Sequence, residues 1–150
     1  VTDAAAGFSP PRRTRVARDV IVIAAIVVAA IVAHLLWAGK HMRAEVSDNA
    51  LAVRGDLLGP TLPLDQIDVA AVRVVDPHTQ ITTMVFGGGL AGYRSGWFRL
   101  ADGSRAQAFV RDGQPAVLLP THHGYSLLVS VADPDAFVAK LRKRHSQSRD

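Results

Sequence analysis

Cysteine is absent from the 150 residues, which excludes a disulfide framework, a thiolate metal site and a cysteine nucleophile together. A surplus of charge of one sign is lacking too. The net charge is +4, but residues 1–39 carry four Arg against two Asp, and residues 40–150 carry thirteen Lys+Arg against eleven acids. Each part is only slightly basic, so nucleic acid is not an expected partner. No G-x-S-x-G elbow is present. Most acids after residue 39 sit in turns beside Gly, Pro or Asn, and Glu45, the one placed mid-strand, reads as a solvated edge residue. His122 and His123 are adjacent, so on a strand they point to opposite faces, and they read as a hairpin tip rather than as metal ligands. Gly87, Gly89 and Gly92 spell G-x-G-x-x-G, but Tyr93-Arg94-Ser95-Gly96-Trp97 follows where that motif requires a helix. These absences point to a protein that is not an enzyme, with no metal and no cofactor.

What is present is one long apolar run. Val20–Trp37 contains eighteen residues whose only polar member is His34. As a helix it spans about 27 Å, close to the roughly 30 Å hydrocarbon core of a bilayer. Trp37 stands at one end, where an indole favours the interface. The expectation is a transmembrane helix over residues 20–39, preceded by a disordered basic arm over residues 1–19. A cleaved signal peptide would need a small-x-small site, but Leu36 stands two residues before Ala38, and Trp37 two before Gly39. Arg12, Arg13, Arg15 and Arg18 precede the run, whereas Lys40, Arg43 and Arg54 follow it. The positive-inside rule then places the N-terminus in the cytoplasm and residues 40–150 outside it. His34 has no acidic partner within the run and reads as a neutral imidazole near the interface.

From Lys40 onward the periodicity is that of short strands. Met42–Val46 and Leu51–Arg54 flank Ser47-Asp48-Asn49, a hairpin signal. Ile67–Val75, Gly96–Leu100, Ser104–Arg111, Ala116–Leu119 and Tyr125–Val131 follow, separated by turns at Asp102-Gly103, Asp112-Gly113 and His122-His123-Gly124. In the third of these segments Ala106, Ala108 and Val110 share one face. The segments read as a meander of antiparallel strands, each with one face to bury. Then Asp133 offers an N-cap, Pro134 suits the first helical position, and Phe137, Val138 and Leu141 recur at helical spacing. One amphipathic helix is expected there, with a frayed tail over residues 146–150.

The stretch Gly92-Tyr93-Arg94-Ser95-Gly96-Trp97-Phe98-Arg99-Leu100, followed by Asp102-Gly103-Ser104-Arg105-Ala106, resembles the signature of bacterial pleckstrin-homology (PH) domain proteins. Leu64-Asp65-Gln66-Ile67-Asp68-Val69 is similar to a segment of that family near its third strand. Pro120–Leu127 and Asp133–Val138 resemble its last hairpin and closing helix. The resemblance covers residues 42–144. It implies a mainly β fold, a PH-like barrel of seven antiparallel strands closed by a C-terminal helix, occupying residues 40–145 after the transmembrane helix.

The resulting expectation is a single-pass cell-membrane protein whose PH-like domain binds protein or peptide partners, with lipid-surface sensing as the alternative. Candidate partner contacts are Tyr93, Arg94 and Trp97 with Gly87, Gly89 and Gly92, the glycines forming a flexible loop. Candidate contacts to anionic lipid are Arg12, Arg13, Arg15, Arg18, Arg142, Lys143 and Arg144. PH domains that bind phosphoinositides use Lys/Arg on the first two strands and the loop between them. Here that loop is Ser47-Asp48-Asn49, with Arg43 and Arg54 alone on the strands, so such a pocket is not expected. Single cysteines introduced at Ser148 and, separately, Ser9 test the orientation by labelling of intact cells. Ser148→Cys is expected to react and Ser9→Cys to stay protected; the reverse pattern places the domain in the cytoplasm.

Overall fold

The computed structural model describes residues 12–148. The chain divides into two compact units, Val1–Ala33 and His34–Asp150. Helix α1 (Arg12–His41) supplies the described part of the first unit and the opening residues of the second. It starts earlier than expected: Arg12–Asp19, assigned above to a disordered arm, is helical. No Pro or Gly stands between Pro11 and Gly39, so nothing in the sequence opposes the helix there. The rest of the expected arm, residues 1–11, lies outside the described residues. Val20, Ile21, Ile23 and Ile26 are each more than half exposed. Val16–His41 is long and apolar enough to cross a membrane, and its apolar core is not covered by protein.

The second unit holds nine strands among the described residues. Strands β1 (Arg43–Val46), β2 (Ala50–Arg54) and β3 (Thr61–Pro63) form a three-stranded antiparallel sheet. The expected hairpin at Ser47-Asp48-Asn49 is there, closed by both the amide and the hydroxyl of Ser47 donating to the Ala50 carbonyl. Ile67–Val75 does not form the single strand its valines suggest. Asp68 caps a 3₁₀ turn at Val69–Ala71 by accepting from the Ala71 amide, which leaves a single bridge at Ile67 to Thr121 and a short strand β4 (Arg73–Val75). The short helix α2 (Pro77–Gln80) then leads to β5 (Ile81–Leu90), β6 (Tyr93–Leu100), β7 (Arg105–Arg111), β8 (Ala116–Pro120), β9 (Ser126–Ser130) and helix α3 (Pro134–Gln147). Asp133 caps α3 through the Ala136 amide, as the sequence indicates.

The larger sheet has the order β4-β8-β9-β7-β6-β5, and β9 runs parallel to β7. This corrects the expectation of seven antiparallel strands in a closed barrel. Asp112-Gly113 reads locally as a hairpin turn, but β9 inserts between the two strands it joins. It can do so because Leu127, Leu128 and Val129 are fully buried and fill both faces. Strand β7 likewise buries every residue from Ala106 to Val110 rather than one face. Two cores result. One contains Phe98, Leu100, Ala106, Ala108, Val110, Ala116, Leu118 and Leu128. The other joins Phe109, Val117, Leu119, Leu127 and Val129 to Leu51, Leu62, Ile67 and Leu141, and to Ala38 and Met42 at the end of α1.

The sheet is curled. Its edge strands β4 and β5 are joined by only Asp76–Gln80, a reach of at most about 20 Å. Six flat strands would set those edges about 24 Å apart. The two edges do not pair with each other, so the curl stays open.

One close approach governs the β5–β6 ladder. Gly87 and Gly96 are direct partners with φ of +144° and +134°. A Cβ on Gly96 would lie 2.2 Å from the Phe86 carbonyl oxygen. Gly103 in the next turn has φ +82° but open space around it. In denaturant unfolding of the full chain in detergent, Gly96→Ala is expected to cost about 3 kcal/mol, clash plus strain. Gly103→Ala is expected to cost about 1 kcal/mol, strain alone.

Candidate functional site

Strand β5 forms an edge of the large sheet, bonded to β6 on one side only. Ile81–Leu90 contains no charged residue and no proline, two of the devices that blunt an edge strand, and carries only irregular pairing as protection. Met84, Val85 and Phe86 are 52%, 58% and 67% exposed, consecutive large apolar side chains facing outward. The register shifts between Ile81 and Thr83 and again between Met84 and Phe86, leaving Thr82 and Val85 without partners across the ladder. Gly87 and Gly89 are therefore not in the expected flexible loop. They are ladder residues opposite Gly96 and Arg94, and the chain reverses in two residues at Ala91 (φ +52°) and Gly92 (φ +79°).

The other candidate contacts separate by burial. Tyr93, expected as a partner contact, is 1% exposed and offers no surface to a partner. Its hydroxyl donates to Asp56 Oδ2 at 2.6 Å, while Asp56 Oδ1 accepts from the Leu58 amide at 2.8 Å. Burial, then the hydrogen bond and charge of Asp56, push the Tyr93 phenol far above its ordinary value of 10.0. Arg94 is half-buried and reaches Asp112 at 3.1 Å, which His78 approaches at 3.6 Å. Trp97 is half-buried and meets the Tyr125 ring edge-on at 5.1 Å. In register it lies opposite Phe86 on one side and Gln107 on the other, so these three share a face.

The end of α1 within the second unit closes against that face. Ala38 is fully buried, and a Cβ on Gly39 would lie 3.1 Å from Tyr93 Cβ. The Met42 carbonyl accepts from an Arg111 Nη at 2.9 Å. Leu35 lies beside Gly88, and His34 Nε2 accepts from the Leu57 amide at 3.4 Å. Asp56, Leu57 and the whole of β5 escaped the sequence reading. A glycine triplet after three apolar residues shows no alternation, and the partner of Asp56 is 37 residues away.

The basic candidates are dispersed. Arg144 pairs with Asp48 at the tip of the β1–β2 hairpin, while Arg142 and Lys143 are exposed beside it. Arg18 is exposed on α1, and the side chains of Arg12, Arg13 and Arg15 lie outside the described residues. Among the described residues no three His, Asp or Glu side chains gather as a metal-binding group. An open groove of about 540 Å³ beside α2 is lined by Val74, Val75, Asp76, His78 and Gly113–Pro115. Asp76 Oδ1 there accepts from the His78 amide as the cap of α2.

Residues 42–145 match the bacterial PH domain family. The chain belongs to that family. No curated protein and no solved structure matches it. The PH domain thus begins at Met42, where α1 ends, and closes with α3.

Because the Tyr93 phenol stays protonated in the folded PH domain while an unfolded tyrosine ionises near 10, folding holds the proton and stability falls as pH rises above 10. The contribution is full below pH 10 and is lost at up to about 1.4 kcal/mol per pH unit above it. Tyr93→Phe is expected to lower stability by about 1–3 kcal/mol at neutral pH, since Asp56 loses a charge-assisted bond. The same substitution should flatten the alkaline limb of a stability-against-pH series.

Proposed function

We propose that the chain is a non-catalytic, single-pass membrane protein whose PH domain binds an extended segment of a protein partner as an added strand on β5. PH domains are in general binding modules, and the observation that carries this reading is the ten-residue edge of β5. It has one unpaired side, no charge, no proline, and the exposed run Met84-Val85-Phe86. Main-chain hydrogen bonds along such an edge supply affinity, and the alternating side chains of the added segment supply specificity. Phe86 and Trp97 offer a contact to one face of that segment.

The apolar, protein-free surface of α1 supports its role as the membrane anchor. The orientation expected from the flanking arginines, N-terminus inside and PH domain outside, is part of the same proposal. Sensing of anionic lipid by Arg142–Arg144 has less support. Arg144 is held by Asp48 at the hairpin tip, the end of β1 and β2 away from the junction with α1.

Photocrosslinking in native membranes tests the strand-addition reading. A benzophenone amino acid at Val85 is expected to give a discrete protein adduct, and one at Arg105, exposed on β7, is expected to give none. Lysines at Val85 and Phe86 together, with the crosslinker moved to Met84, should abolish the adduct. Absence of any adduct from both Val85 and Met84 would overturn the proposal.

A further inference from the structure

We infer that the Gly55–Gly59 loop of the PH domain is a second membrane contact, with Leu57 seated among the lipid chains at the face of the bilayer where α1 leaves it. The inference rests on the reading of α1 as a membrane span, and three observations lead from that reading to the loop.

Leu57 is 82% exposed, the most exposed large apolar side chain among the described residues, and Leu58 next to it is 41% exposed. A turn that projects two leucines instead of polar residues loses transfer free energy in water and regains it in an apolar layer.

Depth follows from length. The Val20–Trp37 run gives about 27 Å of helix, already no more than the roughly 30 Å it must cross. Removing its final turn, His34–Trp37, would leave fourteen residues, about 21 Å. That turn therefore stays at the hydrocarbon boundary. It is also the turn to which the domain attaches, through the Leu57 amide on His34 and through Gly88 beside Leu35. Whatever holds that turn is carried to the same level.

The third observation concerns polarity. Backbone groups can enter an apolar layer only when they are bonded within the protein. Here three successive amides are satisfied: Leu57 donates to His34 Nε2, Leu58 to Asp56 Oδ1, and Gly59 to the Asp56 carbonyl. The Leu58 carbonyl accepts from Gln107 Nε2 at 2.8 Å. The one charge in the loop, Asp56, is turned inward and shared between the Tyr93 hydroxyl and the Leu58 amide. A helix alone leaves a domain free to swivel. A second contact beside it fixes which way β5 faces.

The test uses the full chain, which has no native cysteine to remove. Leu57→Cys, Ile26→Cys and Arg105→Cys are each labelled with an environment-sensitive fluorophore and reconstituted in vesicles of phosphatidylcholine and phosphatidylglycerol. The expected result is blue-shifted emission at positions 57 and 26, quenched by nitroxide-bearing lipid and shielded from iodide. Position 105 should show the opposite. A lipid-like signal at 26 with an aqueous one at 57 overturns the inference and leaves the membrane span standing. An aqueous signal at 26 overturns both. Leu57 packs against little, so its replacement leaves the core intact; an unchanged thermal unfolding midpoint of the labelled protein confirms this.

Discussion

The burial of Tyr93 is the constraint on which the rest of the PH domain depends. Its ring is overlaid by Gly39 of α1, and its hydroxyl is held by Asp56 of the loop after β2. It also begins β6, so one side chain joins the helix end, the small sheet's exit loop and the large sheet. Glycine at position 39 suits this approach, because a Cβ there would lie 3.1 Å from Tyr93 Cβ and one of the two would have to shift by a few tenths of an ångström. The phenol must stay neutral and bonded in that place, since an unpaired hydroxyl buried beside a carboxylate would cost several kcal/mol. Arg111, bonded to the Met42 carbonyl, locks the same corner from β7.

From that corner the surface properties follow. The large sheet places its apolar residues in two cores, and β5 meets them only through the partly buried Ile81. Its glycines let it approach β6 closely, and its large side chains remain uncovered. The region around His34 and Leu35 therefore combines β5 with the exposed loop Leu57-Leu58.

Features set by neighbours in sequence were legible before the structure. The Ser47–Asn49 hairpin, the Asp102-Gly103 turn and the Asp133 cap of α3 all depend on hydrogen bonds or dihedral angles within four residues. Features set by distant partners were not. Nothing near Gly87 announces that it faces Gly96, and Asp112-Gly113 has the chemistry of a hairpin turn although its flanking strands are not paired to each other. The site residues show the same division. Trp97 and Arg94 keep exposed surface, but Tyr93, adjacent to them in an aromatic motif, is core. Its partner Asp56 looked like any turn aspartate. The valines of Ile67–Val75 suggested a strand because propensity counts side chains, whereas Asp68 competed for the backbone.

The place of β9 has a consequence for how the chain matures. It is the only strand connecting the pair β4-β8 to the trio β7-β6-β5. Until Ser126–Ser130 has been made and threaded between β8 and β7, the large sheet exists as two separate pieces, each with a raw edge. A ribosome pausing anywhere before that strand holds a chain whose helix α1 is complete but whose domain cannot close. Assembly of the domain thus waits for its last strand, and α1 and the sheet are completed in that order.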